Sequence, residues 1–326
     1  MISLGIESTA HTFGIGIVSA KEVFVNVKDS YTTEKGGIIP MDAGKHHERV
    51  RDGLIKEALA QFEKKCPGKQ IDIITYSRGP GIGPCLHVGK NTAKDLSQRM
   101  NIPHIGINHC IAHLSVGNLV TPVKNPVLLY ASGANTQVIA YEGGKYRVFG
   151  ETLDQGIGNF LDAFARHIGL GFPGGPKIEQ LALKGKNLIQ LPYSVKGMDI
   201  SLTGMLTNLK QKFDKKEHPV EDLAYSLQET AFAMLIEVAE RAMAHCGKKE
   251  LLLGGGVACN ARLQEMAGIM CKERGAKCFI PQKSLLVDNG AMIAYQGLLE
   301  HNAGKVEQKV AITPYERTDD VDVFWR

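Results

Sequence analysis

Short apolar runs separated by polar turns open the chain. Apolar residues dominate positions 2–6, 13–18 and 23–27, with a polar turn after the first run, which predicts three consecutive β-strands. The same pattern returns at positions 127–130, 137–141 and 145–149. A pattern repeated after about 125 residues indicates an internal duplication, so we predict two related lobes.

Helical periodicity, with apolar residues three or four positions apart, predicts helices at 48–64, 90–100, 160–168 and 222–246. Further helices are predicted to begin after Pro173-Gly174-Gly175-Pro176, at Asn260 and at Val287-Asp288-Asn289-Gly290, and further strands at 71–76, 250–253 and 277–280. The lysine-rich stretch 186–220 is predicted to be irregular. Strands alternating with helices indicate an α/β fold, which we divide into an N-terminal lobe, residues 1–124, and a C-terminal lobe, residues 125–326.

Composition narrows the class of protein. The chain has 326 residues, of which 44% are hydrophobic, enough for two ordinary cores. Its net charge of +4 is compatible with a polyanionic partner but does not require one. The seven cysteines form no Cys-x-x-Cys pair, and no apolar run approaches the ~20 residues of a membrane helix. We therefore expect a cytoplasmic protein with reduced thiols and no membrane partner.

Two histidines four residues apart, His109 and His113, follow Asn108. If Asn108 caps a helix, both imidazoles lie on one helix face and could bind one metal ion. The alternative is that they only cap or pack the helix, since eleven histidines in the chain yield about 0.3 such pairs by chance. Zinc peptidases of the His-Glu-x-x-His type have a general base where this chain has Cys110. No Asp or Glu occurs from Leu96 to Tyr141, so a carboxylate ligand must come from a distant part of the sequence.

Three glycine-containing turns follow predicted strands, at residues 5–9, 132–136 and 254–256. Such turns let backbone N–H groups approach a phosphate, although each alone could be an ordinary tight turn. A dinucleotide-binding turn is disfavoured because Cys259 stands where a third glycine is needed. Two similar hairpins with polar turns, followed by a later glycine turn, resemble the sugar kinase, actin and heat-shock ATPase architecture, with a nucleotide and metal site in its cleft.

Eight segments together resemble the tRNA threonylcarbamoyladenosine transferase family, formerly called O-sialoglycoprotein endopeptidases, and in particular its archaeal and eukaryotic KEOPS-type branch. They are Gly5-Ile6-Glu7-Ser8-Thr9-Ala10, Gly36-Gly37-Ile38-Ile39-Pro40, Gly79-Pro80-Gly81, Asn108-His109 with His113, Ser132-Gly133 with Asn135-Thr136, Gly174-Gly175-Pro176, Gly254-Gly255-Gly256-Val257, and Asp288-Asn289-Gly290-Ala291-Met292.

The resemblance implies two groups of site residues. The metal ligands would be His109, His113, Tyr130 and Asp288, a donor set that suits one Fe²⁺ or Zn²⁺ per subunit. The residues implied for threonylcarbamoyl-adenylate, or for ATP or AMP, are Tyr130, Ala131, Ser132, Gly133, Ala134, Asp162, Gly175, Glu179 and Asn260. Two positions depart from the family pattern: Ala134 replaces a glycine common in many members, and Asn159 replaces an acid of bacterial relatives.

The reaction implied is transfer of the threonylcarbamoyl group to N6 of the adenosine 3′ of the anticodon, in tRNAs that read ANN codons. The partners implied are tRNA and KEOPS-type subunits: a small protein kinase, in some archaeal relatives fused at the C-terminus, and small accessory subunits. No general base is identified. Two alternatives remain open at this point, a metallopeptidase and a non-catalytic ATP-binding scaffold.

Overall fold

The computed structural model describes residues 1–33, 37–306 and 311–326, so Gly36 of the second family motif lies outside it. The chain forms two compact units. The first comprises Met1–Thr32, Ile38–Pro122 and Pro281–Arg326, and the second Val123–Ile280 with Thr33 and Gly37. The predicted division assigned everything after residue 124 to one lobe. In the structure the last segment of the chain, from Pro281 onward, packs with the N-terminal unit.

The first unit is built on a five-stranded sheet within the described residues. Its strands are β1 (Ile2–Glu7), β2 (Thr12–Ser19), β3 (Val23–Ser30), β4 (Ile73–Gly79) and β5 (His104–Asn108). The order across the sheet is β3-β2-β1-β4-β5. The first three strands pair antiparallel, and β4 and β5 continue the sheet in parallel to β1.

The second unit repeats this topology. After β6 (Val127–Ala131), β7 (Thr136–Glu142) and β8 (Lys145–Glu151), a short hairpin is formed by β9 (Val195–Lys196) and β10 (Asp199–Ile200); β11 (Glu250–Gly254) and β12 (Lys277–Phe279) complete the main sheet. Its order, β12-β11-β6-β7-β8, has an antiparallel meander on one side and two parallel strands on the other. The predicted α/β class with duplicated lobes is confirmed.

The helices follow the predicted periodicity with longer bounds. They are α1 (Pro40–Lys65), α2 (Gly83–Met100), α3 (His109–Val120), α4 (Ile157–His167), α5 (Gly175–Ala182), α6 (Thr203–Asp214), α7 (Val220–His245), α8 (Ala261–Glu273), α9 (Lys283–Leu286) and α10 (Gly290–Asn302). The helix α6 lies within the stretch that was predicted to be irregular. Its buried residues are Met205, Leu206 and Leu209. They form only a narrow apolar stripe, so the helical periodicity was weak in the sequence.

In the first unit α10 lies directly on the backbone of the sheet. A Cβ added to Gly16 in β2 would meet the backbone nitrogen of Ala291 at 2.1 Å, so only glycine permits this approach. The side chains of Ile105 and Ile107 join α10 in a buried cluster on this face, while Leu4 belongs to a second buried cluster. Close packing of α10 on β1 and β2 is what draws the C-terminal segment into the N-terminal unit.

Within the described residues, no helix has the length and apolar character needed to cross a bilayer. All seven cysteines fall in described parts of the chain, and they are free thiols.

Candidate functional site

The histidine pair lies on the first turns of α3. The side chain of Asn108 accepts a hydrogen bond from the N–H of Ile111 at 3.1 Å, and so forms the predicted N-cap. His109 and His113 therefore project from one face, with ring centroids 4.8 Å apart, and both side chains are buried. Burial of two imidazoles side by side is the geometry expected of metal ligands, but it needs a compensating negative group.

Asp288 provides that group. Its Oδ1 lies 3.2 Å from Nε2 of His113 and 3.5 Å from Nε2 of His109. The possibility that Asp288 merely caps the last helix is ruled out, because the side chain of Asn289 performs that role by accepting from the N–H of Met292 at 3.0 Å. One ligand atom from each of the three residues lies within 4.8 Å of the others, so the group could hold a metal ion.

The charges of Asp288, His113 and His109 affect one another because the three side chains lie close together. Burial raises the pKa of the Asp288 carboxyl, but its hydrogen bond to His113 and the nearby His109 outweigh burial and leave the pKa below its usual value. Burial and the neighbouring His109 lower the pKa of His113. For His109 burial is outweighed by the carboxylates of Glu7 and Asp288, and its pKa rises to about 9. The carboxylates of Glu7 and Asp288 thus give this buried group a negative character that suits a cation.

Glu7 is the residue here that sequence reasoning missed. Its carboxylate is fully buried at the end of β1, and Oε2 lies 3.0 Å from Nδ1 of His109. An acidic residue closing an otherwise apolar strand was the available signal. Cys110, next to His109, is buried as well, and burial raises the pKa of its thiol to about 12, so it remains protonated at neutral pH.

The first glycine turn uses its N–H groups internally. The N–H of Ser8 donates to Oγ of Ser77 at 2.9 Å, and the N–H of Thr9 donates to Oε1 of Glu7 at 2.7 Å. These two donors are therefore committed to holding the turn, which disfavours the phosphate-binding interpretation of residues 5–9.

The second glycine turn, in the second unit, is different. The N–H of Ser132 donates to the carbonyl of Asn135, and the carbonyls of Ser132 and Gly133 accept from the first turn of α4. In the described part of the chain, the N–H groups of Gly133 and Ala134 have no hydrogen-bond partner, and both residues are exposed. Ala134 does not adopt a positive φ, so its extra methyl group strains nothing in the turn. Two adjacent N–H groups are thus available to an anion.

The third glycine turn, at residues 254–256, packs against the second. Gly255 has φ +89°, and a Cβ at this position would lie 2.4 Å from the carbonyl oxygen of Ala131. Both the conformation and the close approach require glycine. The turns that follow β6 and β11 are therefore stacked backbone against backbone.

Asp162, Glu179 and Asn260 each contact a helix N-terminus in the second unit. Oδ1 of Asp162 accepts from the N–H groups of Gly174 and Gly175, at 2.6 and 3.3 Å, and so shapes the start of α5. Oε1 of Glu179 accepts from the N–H of Ala261 at 2.8 Å, on the first residue of α8.

Asn260 is the N-cap of α8, and its Nδ2 donates to Gln228 at 2.8 Å. Its side chain is therefore already engaged within the unit. Glu179 of α5 accepts from the first residue of α8, and Asn260 caps α8. The N-terminus of α8 therefore connects the predicted nucleotide-binding residues of α5 with the glycine turn that precedes α8.

Tyr130 is buried near the end of β6, where it pairs with Gln137 and Gly254. It belongs to the second unit, whereas His109, His113 and Asp288 belong to the first. Its assignment as a fourth ligand stays a prediction.

Solved structures with this fold are found among proteins of low sequence identity. The crystal structure of HypF from T. kodakarensis matches with a TM-score of 0.65 at 16% identity, covering 92% of this chain and 47% of that one. The activator of 2-hydroxyisocaproyl-CoA dehydratase from Clostridium difficile matches with a TM-score of 0.54 at 11% identity, covering 95% of this chain and all of that one. The fold is the duplicated α/β architecture of the actin, sugar kinase and heat-shock ATPase class, as predicted.

Sequence comparison identifies the family within this class. The tRNA N6-adenosine threonylcarbamoyltransferase family matches residues 22–295. Proteins of that name from Thermococcus kodakarensis and Archaeoglobus fulgidus are 55% and 50% identical, each over the full length of both chains. A "probable bifunctional tRNA threonylcarbamoyladenosine biosynthesis protein" from Methanosarcina mazei is 50% identical over 99% of this chain and 59% of its own length. The chain belongs to the tRNA N6-adenosine threonylcarbamoyltransferase family and is a transferase, as its motifs predicted.

Proposed function

We propose that this protein transfers the threonylcarbamoyl group of threonylcarbamoyl-adenylate to the N6 amine of the adenosine 3′ of the anticodon, in tRNAs that read ANN codons. The observation that carries the proposal is the buried group of His109, His113 and Asp288, in a chain whose full length matches this transferase family. AMP is the leaving group, and the N6 nitrogen loses one proton as the new C–N bond forms.

The donor set fits an Fe²⁺ or Zn²⁺ ion. Its two imidazole nitrogens are borderline ligands that Mg²⁺ does not prefer, and the carboxylate oxygen is a ligand that Fe²⁺ and Zn²⁺ also accept. All three lie in a largely buried group. Tyr130 is proposed as the fourth ligand on the family resemblance alone. When bound, the ion would act as a Lewis acid and template for the oxygens of the donor substrate.

The second unit offers the complementary features for the adenylate. The N–H groups of Gly133 and Ala134 can donate to the phosphate, whose charge increases as AMP departs. Glu179 uses Oε1 on α8, which leaves Oε2 for the ribose hydroxyls. Asp162 orders Gly174 and Gly175 and so positions α5. Because the N6 amine is a weak nucleophile, positioning of this kind is the main catalytic contribution we assign to the chain.

The binding of tRNA is proposed to depend on partner proteins. The basic stretch 210–216 is partly neutralised, since Glu217 lies 3.6 Å from both Lys212 and Lys215. Together with the small net charge, this limits the positive charge that the stretch can offer to phosphates. We propose KEOPS-type partners, including a small protein kinase and small accessory subunits, as the source of the remaining contacts.

Reconstitution tests the proposal. The protein is incubated with unmodified tRNA, threonine, bicarbonate, ATP and the adenylate-forming enzyme, with and without candidate partners, and the nucleosides are analysed after digestion. We expect threonylcarbamoyladenosine with the wild-type protein and none with His109→Ala. Failure of every combination, with the protein folded and the adenylate present, would refute the proposal.

A parallel assay addresses the two alternatives. The metallopeptidase interpretation lacks the general base that zinc peptidases carry directly after the first histidine, because the Cys110 thiol at that position stays protonated. Cleavage of an intact protein substrate by the wild type but not by His109→Ala would restore it. ATP binding without metal or modified nucleoside would instead indicate a non-catalytic scaffold.

A further inference from the structure

The side chain of Glu7 uses both carboxylate oxygens. Oε1 accepts from the N–H and the hydroxyl of Thr9, at 2.7 and 2.5 Å, and Oε2 faces Nδ1 of His109 at 3.0 Å. The carboxylate is fully buried, and His109 is 5% exposed. Glu7 is thereby fixed at the end of β1 and cannot act as a mobile proton carrier. Its second oxygen is directed at a single imidazole.

This contact decides which ring nitrogen carries the proton. A carboxylate accepts hydrogen bonds, so Nδ1 of His109 must be the donor. When the ring is neutral, as a metal-binding histidine has to be, the lone pair is then on Nε2. Nε2 is the nitrogen that faces Asp288, at 3.5 Å. A carboxylate on the far nitrogen of a liganding histidine fixes the tautomer and the ring orientation and strengthens the histidine as a ligand.

We infer that Glu7 is a positioning residue, which holds the proton on Nδ1 of His109 and so directs Nε2 toward the proposed metal ion. The inference rests on the proposed metal site, but the position of the proton is a property of the protein itself. Glu7 therefore serves the metal centre of the first unit, rather than a phosphate at the turn it opens.

Replacement of Glu7 by glutamine probes this role with little change in volume. The N–H of Thr9 requires an acceptor, so the amide oxygen must occupy the position of Oε1. The amide NH₂ then faces Nδ1 of His109, which has to accept, and the proton moves to Nε2. A protonated Nε2 cannot bind a metal ion. Glu7→Gln thus reverses the tautomer without removing a ligand.

The experiment measures Zn²⁺ affinity and the histidine proton. Zn²⁺ dissociation constants are obtained by competition with a chromophoric chelator for the wild type, Glu7→Gln and Glu300→Gln. Glu300 is a matched control, because it is an equally buried glutamate of the first unit whose contacts are Gln296 and Lys305. Spectra of ¹⁵N-histidine-labelled protein report which nitrogen of His109 is protonated, with and without Zn²⁺.

We expect Glu7→Gln to bind Zn²⁺ about 10- to 100-fold more weakly, with Nδ1 of His109 unprotonated, and Glu300→Gln to bind like the wild type. In the wild type Nδ1 should carry a proton in the Zn²⁺-bound protein and, at a pH at which the ring is neutral, in the metal-free protein as well, a measurement that stands even if the variant does not fold. Wild-type affinity in Glu7→Gln, or an unprotonated Nδ1 in the wild type, would overturn the inference. If the wild type bound no Zn²⁺ while Nδ1 but not Nε2 was protonated, the proposed metal site would fail but the role of Glu7 in setting the tautomer would not.

Discussion

Nε2 of His113 and Oδ1 of Asp288 lie 3.2 Å apart, although 175 residues separate them in the chain. The contact exists because α10 lies against β1 and β2, where glycines such as Gly16 leave no side chain in the way. The segment just before α10 is thereby brought to the N-terminal end of α3. The candidate metal site depends on this packing as much as on its three side chains.

Asp288→Asn should fold normally and lose most bound metal together with transfer activity. The helix cap is unaffected because Asn289 provides it, whereas an amide is a much poorer ligand than a carboxylate. Metal analysis of the purified variant and the tRNA modification assay give the readouts. Asn289→Ala is the control: it should lower the free energy of unfolding by at least about 1 kcal/mol, through loss of the cap and of the Nδ2 hydrogen bonds to the carbonyls of Leu285 and Val287, but retain metal. Full metal occupancy in Asp288→Asn would show that Asp288 is not a ligand.

Glu179→Ala should weaken AMP binding by roughly 1 to 3 kcal/mol, since a charged hydrogen-bond partner of the ribose is lost. Isothermal titration calorimetry measures the affinity, and metal content should not change. Glu229→Ala is the control, because Glu229 pairs with Arg262 on the first turn of the same helix, α8. An equal loss of affinity in both variants would mean that Glu179 acts by stabilising α8 rather than by contacting the nucleotide.

Gly255→Ala should destabilise the protein by about 1 to 3 kcal/mol, because a left-handed conformation and a blocked Cβ position coincide there. AMP affinity should fall with it, since the turn supports residues 131–134. Gly268→Ala in α8 is the comparison: its Cβ would meet nothing within 4 Å, and alanine in a helix interior gains about 0.5 to 1 kcal/mol. Denaturant unfolding that showed no difference between the two variants would contradict the supporting role assigned to the Gly255 turn.

His47 should make the first unit sensitive to acid. Burial, with a smaller contribution from His46, lowers its pKa from 6.5 to about 4. As the pH falls, the unfolded chain therefore binds a proton at this histidine before the folded protein does. The free energy of unfolding decreases as the pH falls from 6.5 toward 4. At pH 5 this loss amounts to roughly 2 kcal/mol. Denaturant unfolding at pH 7.5 and pH 5 should show a smaller decrease in the free energy of unfolding for His47→Gln than for the wild type. Equal decreases would refute the assignment to His47.

Binding of tRNA by the isolated chain should be weak and steeply dependent on salt. Lys215→Ala, at an exposed position of the basic stretch 210–216, should reduce the slope of log affinity against log salt by about one unit if that stretch contacts phosphate. Lys64→Ala, at the exposed end of α1, is the control. Filter binding across a salt series measures both slopes. Tight binding at physiological salt without partners would exclude the proposed dependence on partner proteins.

Local patterns in the sequence were sufficient to predict much of the fold of this protein. Alternating apolar strands with glycine turns revealed the duplicated sheets, because side-chain periodicity reflects which face of a strand is buried. The shared helix face of His109 and His113 followed for the same kind of reason: four residues make about one helical turn, so a cap at Asn108 places both on one side.

Only the tertiary structure decided the rest. The structure returns Pro281–Arg326 to the N-terminal unit, brings Glu7 to His109 and uses Asn289 rather than Asp288 as a cap. The first two of these depend on contacts between distant segments. Such contacts are set by how closely two backbones can approach and by which buried polar groups then need partners. A glycine at position 16 permits the approach of α10, but the sequence around it does not identify Ala291 as the residue that packs there.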